Sequence, residues 1–121
     1  MAFRCFIVDD NLSFLDAARA LLEREGVSVV GVASTSAEAL PAVAELRPDV
    51  VLVDIWLGEE SGLDLARRLV ADGEGGGPLV VLISTRSEDE VVDLIAESHA
   101  AGFVHKPELS AAAIGRIVDG L

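Results

Sequence analysis

Positive charge is scarce in this sequence. Nine lysines and arginines face 21 aspartates and glutamates across 121 residues, for a formal net charge of −12. A chain with that balance repels a phosphate backbone, so direct nucleic-acid binding by this segment is not expected. Cysteine occurs once, at Cys5 inside the first apolar run, which rules out an internal disulfide and suits a reducing compartment. The two histidines, His99 and His105, have no second histidine at ligand spacing, so both read as incidental rather than as metal or phosphohistidine sites. No apolar run approaches the ~18 residues of a membrane span. Acids interrupt the N-terminal apolar stretch by Asp9, unlike a secretory signal. The expectation is a soluble cytoplasmic protein without membrane contact.

What is abundant is apolar residues, at 51%. A chain of this length is about the size of one ordinary domain, so residues 1–121 are expected to form a single domain with a real core. Short β-branched runs alternate with stretches of helical period. The runs are FRCFIV (3–8), VSVVGVA (27–33), DVVLVD (49–54), PLVVLIS (78–84) and GFVHK (102–106). Helices are predicted over about 12–25, with Gly26 as the stop, and from Thr35, whose spacing to Glu38 is that of a capping box, to the residues before Arg47-Pro48. Three more run from near Ser61 to Gly73, from SEDE (87–90) onward, and over about 109–119. Pro41 falls inside the second helix, where it removes a backbone hydrogen bond and predicts a kink or a late start.

Five strand-helix alternations argue for a parallel sheet with helices on both faces. A central strand of such a sheet is covered above and below, which explains why VVLV is uniformly apolar. All strands point one way, so residues just past their C-terminal ends collect along one edge. Asp9, Asp10, Asp54, Ser84 and Lys106 all stand at such ends. The glycine-rich GEGGGP (73–78) lies between a helix and a strand, at the opposite edge, and matches no phosphate-binding loop, so it reads as a flexible connector.

Three carboxylates held together repel one another and must take up protons or bind a cation. Oxygen donors without histidine or cysteine favour Mg2+, with Mn2+ as a substitute, over zinc. An ionised aspartate is also a nucleophile that can attack phosphorus to give an aspartyl phosphate. Lys106 would supply positive charge to a phosphoryl oxygen and the Ser84 hydroxyl a hydrogen bond to another.

The acid pair Asp9-Asp10 after the first strand, Asp54 within DIWLGEESG, Ser84 after the fourth strand and Lys106-Pro107 after the fifth follow one order and spacing. In these respects the chain resembles, over essentially its whole length, the receiver domain of two-component response regulators. The resemblance implies a flavodoxin-like, doubly wound (βα)5 three-layer α/β sandwich whose five-stranded parallel sheet has the order 2-1-3-4-5. It implies a phosphoacceptor rather than an enzyme, with Asp54 phosphorylated from a histidine kinase. Mg2+ would be held by Asp10, Asp54 and the main-chain carbonyl of Trp56, with Asp9 acting through water. Ser84 and Phe103 would form the switch pair, and the Lys106–Pro107 bond would be cis. A homodimer through the face formed by residues 88–119 and a DNA-binding output domain are further expectations on the same analogy.

The chain departs from the family pattern in three places. Gly58 replaces a frequent proline, Ser84 the commoner threonine, and Phe103 a tyrosine whose hydroxyl could have made a hydrogen bond. Other classes fit less well. A phosphatase using an aspartate nucleophile needs a second acid where Trp56 stands, and a flavin-binding module needs a phosphate cradle where VDDNLS offers carboxylates. The remaining alternative is a receiver-like interaction module that works without phosphorylation, whose hallmark, a missing acid or lysine, is not seen.

Overall fold

The computed structural model describes residues 3–72 and 77–120. The strands are β1 (Arg4–Val8), β2 (Ser28–Ala33), β3 (Val50–Asp54), β4 (Trp56–Leu57), β5 (Glu60–Ser61), β6 (Leu79–Ser84) and β7 (Gly102–His105). The helices are α1 (Leu12–Arg24), α2 (Ser36–Leu46), α3 (Gly62–Asp72), α4 (Glu88–Ser98) and α5 (Ala111–Asp119), with a 3-10 turn over Lys106–Glu108. Five strands pair in parallel in the order β2-β1-β3-β6-β7, the predicted topology, and β4 and β5 form a separate short antiparallel hairpin.

Alternation along each strand divides the core into two layers. Phe6, Val8, Val51, Val53, Val80 and Leu82 face Ala39 and Val43 of α2, Leu65 and Leu69 of α3 and Val91 of α4. Their neighbours Cys5, Ile7, Val50, Leu52, Val81 and Ile83 face Leu15, Ala18 and Leu22 of α1 and Ile114 of α5. Both faces of β3 are therefore sealed, and all five of its residues are buried. Each of its four apolar side chains contributes about 1.5–3 kcal/mol relative to exposure, so the strand resists any slip that would draw Asp54 away from its end. The membrane expectation has a limited structural counterpart: among the described residues no helix is long and apolar enough to cross a bilayer.

Local chemistry sets the helix ends. Asn11 caps α1 by accepting from the Phe14 amide at 3.1 Å. Thr35 caps α2 by accepting from the Glu38 amide, but Glu38 returns its bond to the amide and hydroxyl of Ser34 rather than to Thr35, so the capping box is displaced by one residue. Those bonds lower the Glu38 pKa below its ordinary value. At the start of α4 the Ser87 amide and hydroxyl both donate to the Glu90 carboxylate, and the Glu90 amide donates to the Ser87 carbonyl.

Three expectations are corrected. α2 does not start late: it begins at Ser36 and runs without interruption through Pro41. Pro41 and Ala37 are both exposed, so the carbonyl deprived of its donor can turn to water. α5 begins at Ala111 rather than near 109, because Leu109 is buried and ends the preceding 3-10 turn. The Lys106–Pro107 bond is trans, not cis. Pro107 lies in the first turn of that 3-10 segment, where its fixed φ and missing amide are already accommodated. Most of the glycine-rich connector, residues 73–76, lies outside the described residues.

Gly62 marks the closest backbone approach. A Cβ there would overlap the main-chain oxygen of Asp54 and stand 2.9 Å from that of Ile55. The start of α3 is thus pressed against the end of β3, and the Gly62 amide donates to the Ile55 carbonyl at 2.8 Å. Gly62→Ala is expected to lower stability by about 1–3 kcal/mol or more, measured by urea denaturation; an unchanged midpoint would show that α3 moves away freely. Burial also pushes the Cys5 thiol up to about 12. Because the thiolate is the reactive form, a thiol reagent at pH 8 should label Cys5 only as fast as the protein unfolds, with labelling accelerating as urea is added. Rapid labelling without urea, followed by intact mass, would show that β1 opens on its own.

Candidate functional site

The C-terminal ends of β1, β3, β6 and β7 converge on one edge of the sheet. Asp9 follows β1 and is completely buried, Asp10 beside it is exposed, and Asp54 closes β3 with 8% of its surface exposed. One carboxylate oxygen from each of the three lies within 4.8 Å of the others. Lys106, from the turn after β7, reaches into this group. Its Nζ stands 2.6 Å from Asp9 Oδ2 and donates to Asp54 Oδ2 at 3.2 Å. The contact with Asp9 is an ion pair outside hydrogen-bond geometry, and Asp9 Oδ2 is a buried oxygen with no hydrogen-bond partner. The other oxygen, Asp9 Oδ1, accepts from the Asn11 amide at 2.9 Å.

Charge balance in the cluster is incomplete. Burial raises the Asp54 pKa above that of an ordinary aspartate, and repulsion from Asp9 adds to it. Lys106 and the Trp56 amide, which donates to Asp54 Oδ1 at 3.3 Å, oppose the rise without cancelling it. Burial would lower the Lys106 pKa, but its contacts with Asp9 and Asp54 prevail and raise it, so the ammonium stays charged. One ammonium among three carboxylates leaves negative charge over. An all-oxygen donor set whose negative charge one ammonium does not balance suits a hard divalent cation such as Mg2+.

The remaining candidates surround this centre. Ser84 ends β6 beside β3, is buried, and accepts from the Arg86 amide at 3.0 Å through its hydroxyl. Trp56 opens the β4–β5 hairpin and touches Asp54 through its amide; its indole is 44% exposed. Phe103 lies on β7, half-buried between the α2–α3–α4 core layer and a surface groove of about 470 Å³. Ser87, His105, Arg116 and Ile117 also line that groove. The histidines have structural places. His99 ends α4 in the left-handed conformation, with φ 62°, and the His105 Nε2–H donates to the Thr85 carbonyl at 2.8 Å.

Two contacts had no sequence signal, since each joins residues far apart in the chain. The Arg86 guanidinium lies over the Trp56 ring, 5.0 Å from its centre, at the mouth of the cluster. Lys106 Nζ lies 4.3 Å from the centre of the Phe14 ring.

The chain is similar to known proteins over most of its length. Residues 5–117 match the family model described as the response regulator receiver domain. The DNA-binding response regulator MtrA of Mycolicibacterium paratuberculosis is 38% identical over 107 residues, 88% of this chain and 46% of its own length. A protein-glutamate methylesterase/protein-glutamine glutaminase of Hahella chejuensis is 34% identical over 84% of this chain and 29% of its own length. The chain thus spans less than half the length of these curated relatives. Among solved structures, the signal receiver domain of the response regulator NarL from Mycobacterium tuberculosis superposes with a TM-score of 0.81 at 30% identity, covering 97% of both chains. With its acidic pocket and lysine set on this sheet, the chain belongs to the response regulator receiver domain family, a phosphoacceptor class rather than a classical enzyme.

Proposed function

We propose that this chain is a phosphorylation-dependent switch of a two-component system, and that Asp54 accepts a phosphoryl group from the phosphohistidine of a histidine kinase. The observation that carries the proposal is the convergence of Asp9, Asp10, Asp54 and Lys106 on one pocket, with Asp54 both ionisable and partly open to solvent. An Asp54 oxygen attacks phosphorus, the P–O bond forms as the P–N bond to the imidazole breaks, and the imidazole leaves. Asp10, Asp54 and the Trp56 carbonyl would hold Mg2+, with Asp9 acting through water, and the ion when bound would neutralise charge on the phosphoryl oxygens. Lys106 keeps Asp54 ionised before transfer and grips a phosphoryl oxygen afterwards; Ser84 donates a hydrogen bond to another.

Phosphorylation on this reading biases Ser84 and Phe103, and through them the groove between α4 and α5, toward one state. That face is the proposed site of homodimerisation. MtrA is named as DNA-binding, which supports transcriptional output through a segment beyond this chain, in the cytoplasm. The net charge of −12 argues that this segment itself does not touch DNA.

The only tryptophan in the sequence, Trp56, lies two residues from Asp54 and provides the test. Mg2+ should change its fluorescence saturably, and beryllofluoride should change it further only with Mg2+ present. With a small phosphodonor and Mg2+, intact mass should gain one phosphoryl group. Asp54→Ala should abolish both the beryllofluoride response and the mass gain. A gain that survives Asp54→Ala would overturn the assignment. For Lys106→Ala, phosphotransfer should fall at least tenfold, since a donor aimed at developing phosphoryl charge is worth about 3 kcal/mol; an unchanged rate by the same mass assay would remove Lys106 from the chemistry.

A further inference from the structure

We propose that Phe14 is a positioning residue for Lys106, its ring face holding the ammonium against the carboxylates of Asp9 and Asp54. The inference rests on the receiver reading and adds a residue to its machinery. Lys106 is only 11% exposed in its side chain, so few waters complete its ammonium shell. Two directions from Nζ are taken by Asp9 Oδ2 and Asp54 Oδ2, and a third faces the Phe14 ring at 4.3 Å. The negative face of an aromatic ring attracts a desolvated cation, which an aliphatic side chain of similar volume does not.

The placement of Phe14 is over-determined. Asp9 Oδ1 accepts from the Asn11 amide, and Asn11 Oδ1 accepts from the Phe14 amide. The Phe14 ring meets Lys106 Nζ, which returns to Asp9 Oδ2. These contacts close a loop from one oxygen of Asp9 to the other, through the first turn of α1. Phe14 otherwise packs only at the margin of the α1–α5 core layer. The ring therefore fixes the ammonium against two of the carboxylates that a divalent cation would require, and loosening it should relieve that competition.

Phe14→Leu keeps apolar bulk and removes the ring face; Phe14→Tyr keeps both. In the metal-free protein, NMR should show the Lys106 ε-methylene protons shifted upfield by the ring in the wild type and in Phe14→Tyr, with the shift lost in Phe14→Leu. Calorimetric titration with Mg2+ should show binding roughly 2- to 10-fold tighter in Phe14→Leu and unchanged in Phe14→Tyr. In a Lys106→Ala background, Phe14→Leu should leave Mg2+ affinity unchanged, because the ring then has no cation to hold. Equal Lys106 shifts in the wild type and Phe14→Leu, or the same affinity change with and without Lys106, would overturn the inference. Neither readout uses a phosphodonor. A wild-type protein that fails to phosphorylate Asp54 would count against the receiver reading and leave this result to be judged on its own.

Discussion

Covering β3 on both faces leaves only its ends to meet polar surroundings, and Asp54 stands at the C-terminal one. The parallel direction of β1, β6 and β7 brings their own ends to the same edge. Everything at the site follows from this constraint. Asp54 cannot withdraw from Asp9 without pulling apolar residues out of a sealed layer, and the Gly62 amide ties the start of α3 to the Ile55 carbonyl just past Asp54. The core holds in place a cluster of like charges that would disperse if the chain were free.

Fold and electrostatics therefore oppose each other at this edge. Three carboxylates within 4.8 Å share one ammonium, and the raised pKa of Asp54 shows that Lys106 does not fully offset burial and repulsion. Two responses relieve the excess: proton uptake or a divalent cation. At neutral pH, a cation is the response that keeps Asp54 ionised and hence nucleophilic. The opposition is thus part of the proposed function, since a site already neutralised by a second lysine would have no reason to recruit a metal ion.

Much of this was legible in the sequence, for identifiable reasons. The five main strands lie within a residue of their predicted limits because dry β-branched runs have few other structures open to them. The ends of those runs foretold the site, since topology alone carries Asp9, Asp54 and Lys106 together. Two-residue strands such as Trp56–Leu57 and Glu60–Ser61 are too short to show a period, so the hairpin could not be read. Pro41 did not delay the start of α2, because the cost of a helical proline depends on whether water can reach the orphaned carbonyl, and exposure is a tertiary property. The cis Lys106–Pro107 bond came by analogy and gave way to a trans bond in a 3-10 turn. Nothing local marks Phe14 within α1, and only the return of Lys106 across the sheet edge distinguishes it. Asn11 serves two neighbours at once: its side chain caps α1 and its amide donates to the buried Asp9.

A magnitude decides whether such a site could move a surface. Ser84 is paired in register with His105 across β6 and β7, and the His105 ring is tied to the Thr85 carbonyl. A displacement of Ser84 toward a phosphoryl group therefore acts on the strand that carries Phe103, beside the groove between α4 and α5. Phe103 is half-buried and has no hydroxyl, so its inward and outward positions differ only in apolar contact. Complete burial of such a ring is worth about 1.5–3 kcal/mol, and the half-buried ring stands to gain or lose a part of that. A hydrogen bond to a charged phosphoryl oxygen contributes about 1.5–3 kcal/mol. The two energies are of the same size, so on the proposed function one new bond at Ser84 would be enough to reverse a preference of Phe103, whereas a tyrosine anchored by its own hydrogen bond would demand more. On this argument the absence of the hydroxyl lowers the energy that phosphorylation must supply to reshape the groove.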